Sequence, residues 1–296
     1  MALNSLGHAW TTQIGPTQEF DAQGNNLASN PLTATGIAID GAGNPWVATS
    51  NGINKINPIT GSGSPFPGNN NSATTAGPVA IDQAGNVWSA SIVTGNLVEL
   101  SSSGNELTEF PVVPPPSTPS ALAIDANGTL WVTSNDGFLR AATPNGTLTQ
   151  QIQLGGAPQN IAIDQIGNLW VTDHQNNVVD EISTAGTVLG NFAVGNAPTA
   201  VAVDQSGSVY VANGLDGTIS VLDAAGNITS TIPVNPLANT TASTQPIALG
   251  IDASGNIWVL DASFNSVHVV DKAAKGPQFF PYRGPQYPWG SGLSSD

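Results

Sequence analysis

The chain has 296 residues, 40% of them hydrophobic and only 8% charged, with a formal net charge of −15 and five Lys and Arg in all. So few cations cannot neutralise a phosphate backbone, which is bound through clustered Lys and Arg, and nucleic acid is excluded as a partner. No apolar run approaches the ~18 residues of a membrane span, and the lack of Cys excludes disulfides and thiol chemistry.

The first recognisable unit opens at Asn4, with Gly7 three residues on and Trp10 three further. The second reads Ile37-Ala38-Ile39-Asp40-Gly41-Ala42-Gly43-Asn44-Pro45-Trp46. Asp82, Asp125, Asp164, Asp204 and Asp252 open five more, each followed at six residues by Trp88, Trp131, Trp170, Tyr210 and Trp258. The period is about 41 residues, within the range of propeller blades.

Each unit holds four short extended stretches. In the fifth they are Asn160-Ile161-Ala162-Ile163, then Asn168 to Thr172, Val178 to Ile182 and Val188 to Val194, separated by turns rich in Asp, Asn and Gly. Such runs of Val, Ile, Thr and Trp read as hairpins, and no stretch carries a helical apolar period. A four-stranded sheet cannot bury both faces alone, whereas radial stacking covers both. The expected fold is therefore an all-β, seven-bladed β-propeller of four-stranded antiparallel blades, with six blades as the alternative. The Asp is expected to fix an Asx-type turn, and the aromatic to fill the gap between blades. One propeller domain should span residues 1–281. Residues 282–296, Pro-rich and aromatic, are expected to close the ring, to form a loose tail, or to dock on a second copy.

Three residues after each aromatic the chain reaches one rim of the ring. The occupants are Gln13, Thr49, Ser91, Ser134, Asp173, Asn213 and Asp261, all polar. Asp173, Asn213 and Asp261 lie on consecutive blades and are candidate ligands for Ca²⁺ or Mg²⁺, which favour oxygen donors. The competing expectation is that they cap strand ends. Asn160, the one large polar residue among the small starts of the first strands, and Gln175 are candidate ligand-binding residues. Of the three histidines, His8 reads as a turn residue and His268, between Val267 and Val269 on an outer strand, as solvated. His174 stands at the rim beside a carboxylate, where it is the candidate general base. No Gly-x-Ser-x-Gly elbow occurs.

The repeated Ile-Ala-Ile-Asp-x-x-Gly-Asn-x-Trp-Val core, with Pro78, Pro158, Pro198 and Pro246 near the starts of first strands, resembles the NHL-repeat and virginiamycin B lyase-like propellers. Resemblance to the lyase-like members implies a seven-bladed ring, whereas many NHL domains have six blades. For the lyases it also implies a His, two Glu and Mg²⁺ that open a cyclic ester, with the second strand ending Trp-Phe-Thr-Glu. Here Trp170-Val171-Thr172-Asp173 is the nearest match, Asp replaces Glu, and Gln175 and Asn176 follow His174 where the family places an acid. Two functions are thus in view. One is a binding or scaffold module, secreted or periplasmic, presenting a polar axial mouth to a protein or glycan. The other is a metal-dependent lyase or lactonase acting on a small cyclic ester.

Overall fold

Local order begins with the recurring Asp. In a computed structural model that describes residues 1–12, 16–21, 25–57, 63–65, 76–234, 244–264, 266–270 and 277–280, each of the six Asp carboxylates organises its own turn. Asp125 Oδ1 accepts the backbone N–H groups of Asn127 and Thr129, both at 2.9 Å. Gly128, at φ 81°, adopts the left-handed backbone that closes the turn. The second oxygen has a job that the spacing alone did not disclose. Asp125 Oδ2 accepts the indole N–H of Trp131 at 3.0 Å. The same bond runs to Trp46, Trp88, Trp170 and Trp258 at 3.1–3.3 Å, and to the hydroxyl of Tyr210 at 3.0 Å. The six-residue interval is therefore one carboxylate reaching across a hairpin to the aromatic that the hairpin buries.

Four consecutive antiparallel strands make each of seven sheets, and neighbours in sequence are neighbours in space throughout. Blade five comprises Pro158–Ile163, Leu169–Asp173, Val178–Ile182 and Val188–Ala193, from the axis outward. Seven blades are present, as the repeat count requires, and the six-bladed alternative falls away.

Each seam between blades is an apolar cluster built around one aromatic. Trp131 of blade four packs with Leu169 and Val171 of blade five, and Trp170 of blade five packs with Val201 and Val209 of blade six. All six of the blade tryptophans are essentially inaccessible to solvent. The ring closes by the same device, because Trp258 of blade seven lies against Ala9 and Phe20 of blade one. Blade one contributes only Ala2–Leu3 as its inner strand. A Cβ on Gly250 would come within 2.9 Å of Leu3 Cδ1, which accounts for glycine where the other inner strands carry alanine. Residues 282–296, expected to close the ring or form a tail, lie outside the described residues. Among the described residues no helix is long and apolar enough to cross a membrane.

Candidate functional site at the rim and axial mouth

The ends of the second strands and the starts of the first strands share one rim, since Pro158 pairs with Asp173, Pro198 with Asn213 and Pro246 with Asp261. Asp173, Asn213 and Asp261 each reach that rim, and each is fully buried. Asp173 Oδ1 accepts the backbone N–H groups of Ala157, Gln175 and Asn176 at 3.0–3.1 Å, and Oδ2 accepts Asn176 Nδ2 at 2.8 Å. Asn213 Oδ1 accepts Gly195 N–H, while its Nδ2 donates to Thr218 and Ser220. Asp261 Oδ1 accepts Gln245 and Ser263 N–H, and Oδ2 lies 3.3 Å from His268 Nε2. Burial alone would raise the Asp261 carboxyl, but the His268 ring and the two amides outweigh it and hold it below the usual range.

These are strand caps: Asp173 and Asn213 are satisfied by their own blade and the loop beside it, while Asp261 Oδ2 has the His268 ring beside it and no hydrogen bond among the described residues. Among the described residues no three His, Asp or Glu side chains come together as a cation would need. The Mg²⁺ that the lyase resemblance implies, or the Ca²⁺ considered from the residues, is not matched by this donor set: Asp173 and Asn213 already accept N–H groups, and Asp261 Oδ2 faces the His268 ring rather than a second carboxylate. Gln13, the seventh rim residue, lies outside the described residues.

The structure corrects one histidine. His268 is on the third strand of its blade, Ser266–Val270, and is 0% exposed rather than solvated. Its Nε2 meets Ser266 Oγ at 2.9 Å as well as Asp261. It faces inward because the polar Asp261 offers a partner inside the seam. His8 is a turn residue, paired through Nδ1 with Glu19 at 3.1 Å. His174 is half-buried; its backbone N–H bonds to Ala157 O, and Nδ1 is buried with no hydrogen-bond partner among the described residues. Gln175 is exposed beside it.

A feature that the rim pattern did not reveal lies one strand further out. The third-strand residue paired with the position after each aromatic is Gln18, Asn54, Val98, Arg140, Asp180, Ser220 and His268 in turn. Six of the seven are polar, and none of those is more than 5% exposed. Most serve the rim residue of their own blade. Asn54 donates to Thr49 at 3.0 Å, Arg140 donates to Ser134, and Ser220 accepts from Asn213 at 2.9 Å. Asp136, in the loop beyond the rim residue, clamps the buried Arg140 guanidinium at 2.6 Å. Burial opposes its charge, yet the Arg140 hydrogen bonds bring its carboxyl down to about 2. The signal was available as a column of polar residues at one register position of the third strands.

Asn160 has a different setting. Its Oδ1 accepts Val201 N–H from the next blade at 3.2 Å, so it bridges blades five and six. It also lines a cavity of about 370 Å³ at the axial mouth, together with Thr12, Thr35, Ser120 and the backbone around Gly36 and Gly77. No charged side chain lines that cavity. Thr12 is 1% exposed, and its Oγ1 has no hydrogen-bond partner among the described residues. The structure thus brings Asn160 to the axis, and leaves His174 and Gln175 on the loop outside it.

Fold and rim together define a seven-bladed propeller of the lyase-like kind, with a capped rim and an open axial mouth. The family model described as the virginiamycin B lyase family matches residues 20–279, and the chain belongs to that family. Among solved structures, a streptogramin B lyase is similar at 20% identity over 85% of this chain and 83% of that one, with a TM-score of 0.74. The virginiamycin B lyase of Staphylococcus aureus is similar at 19% identity over 84% of each chain, with a TM-score of 0.72. A catalytically inactive histidine-to-alanine form of that enzyme with quinupristin is similar at 18% identity over 93% of this chain and 87% of that one, with a TM-score of 0.73. No curated protein sequence matches the chain.

Proposed function

We propose that this chain is a non-catalytic binding propeller whose axial mouth takes a neutral, hydroxyl-rich ligand, the terminus of a glycan. The observation that carries this reading is the axial cavity of about 370 Å³, in which the uncharged polar side chains of Thr12, Thr35, Ser120 and Asn160 stand among apolar ones such as Ile37, Val79 and Leu122. Its size falls within the range of small-molecule sites. A buried hydroxyl without a partner leaves hydrogen-bonding capacity unmet, and Thr12 Oγ1 is such a group. A ligand rich in hydroxyls both donates to and accepts from Thr12, Thr35, Ser120 and Asn160. The test is a glycan array followed by calorimetric titration of any sugar retained. Thr12→Val and Asn160→Ala are each expected to weaken binding by about tenfold, the worth of one hydrogen bond of ~1.4 kcal/mol. Binding of a protein instead of a sugar, or affinity untouched by both changes, contradicts the reading.

Family membership brings a second reading, cleavage of a cyclic ester at the rim outside that mouth. It rests on His174, whose buried Nδ1 lacks a partner among the described residues. Asp173 beside it is committed to four N–H donors, which leaves that histidine without a carboxylate to orient it. Binding without turnover is the stronger reading.

A further inference from the structure

Blade five breaks the pairing rule of the rim. Where the rim residue and its third-strand neighbour are both polar and both described, they are complementary in blades two, four, six and seven: Thr49 with Asn54, Ser134 with Arg140, Asn213 with Ser220, Asp261 with His268. In blade five both are acids, Asp173 and Asp180, and both are essentially buried. Asp180 Oδ1 accepts from Asn191 Nδ2 on the outer strand, but Oδ2 is buried with no hydrogen-bond partner among the described residues.

Among the described residues no positive charge compensates Asp180. Asp180 shares a face of its sheet with Val171, and blade four covers that face with Leu139, Ile152 and Leu154. Asn191 on the outer strand is neutral, and Glu181, next in sequence, is turned to Asn168 on the opposite face. Asp173, from the second strand, is the charged group that acts on Asp180. Two buried like charges are mutually destabilising, and one of them takes up a proton more readily for it.

We propose that Asp180 is a proton-dependent latch on the rim loop 173–177, holding the loop closed while it carries a proton and loosening it when it ionises beside Asp173. Asp173 pins that loop through the amides of Gln175 and Asn176, and pins the blade-four connection through Ala157. A second negative charge behind Asp173 pushes against that anchor. The pH range follows from the carboxyl of Asp180, which burial first and Asp173 second push from 3.8 up to about 6. A folded-state value above the unfolded one means that the contribution is complete below about 3.8 and is lost as pH rises through about 6. This regulation belongs to the protein alone and is independent of what the axial mouth holds.

Amide hydrogen exchange of the full chain between pH 4 and 7, read as protection factors, tests it. Protection of the Ala157, Gln175 and Asn176 amides should fall by up to about tenfold per pH unit towards pH 6 and then level off. Asp180→Asn, which mimics the protonated acid, should remove that fall. Asp180→Ser, which installs the blade-six residue type, should do the same if the Asn form folds poorly. A flat wild-type profile, or the same fall in both variants, overturns the proposal.

Discussion

At the scale of single residues, the chain uses a carboxylate to solve a problem created by its own tryptophans. Burying an indole takes its N–H out of water, and an unmatched buried donor costs about 1–3 kcal/mol. The Asp six residues earlier receives it while also accepting two backbone N–H groups of its turn, as at Trp131 and Asp125. Blade one shows what happens without it. Asn4 still accepts the N–H groups of Leu6 and His8, but its amide donates to Glu19, and Trp10 Nε1 has no partner among the described residues. Asp125→Ala should therefore lose about 2–3 kcal/mol in urea unfolding, more than a turn residue alone contributes. A loss below about 0.5 kcal/mol, the level of an ordinary surface change, would mean that the indole bond carries no weight.

At the scale of strands and blades, the packing is as periodic as the spelling. Each aromatic fills the seam to the following blade, and the seam from blade seven to blade one is built like the other six. Trp258→Ala should accordingly cost about 3–5 kcal/mol, the range for emptying a buried aromatic position. Thermal unfolding of this variant beside Trp131→Ala is the check, and the two should match. A far smaller loss at Trp258 would show that the ring is held shut by something else.

This scale also shows what could be read in advance. The blade count, the turns and the strand order follow from the interval between Asp and aromatic, which a linear pattern displays directly. The capping roles of Asp173, Asn213 and Asp261 were one of two readings open from spacing, because a side chain's partners are not written in its own position. His268 was misplaced for a related reason. A histidine between two valines looks solvated until the acid across the strand pair, Asp261, is seen to meet it. Asp180 was passed over since a single acid in a β-strand signals nothing until the six equivalent positions are set beside it.

For the molecule as a whole, family and fold leave the activity open, and the rim narrows it. Seven equivalent sheets give a rigid frame, and the polar rim expected to hold a cation spends its donors and acceptors on holding loops to blades. What remains for a ligand is the axial mouth, where hydroxyls and an amide stand among apolar side chains and no charged side chain is present. A net charge of −15 on a chain with five Lys and Arg disfavours anionic partners at close range. The proposed binding function would set this chain apart from the lyases it resembles in shape. Incubation with quinupristin, followed by chromatography with mass detection of any linear product, tests that separation most directly. The cyclic depsipeptide should remain intact through prolonged incubation with excess Mg²⁺. Catalytic accumulation of a ring-opened product, abolished in His174→Ala, would contradict the account.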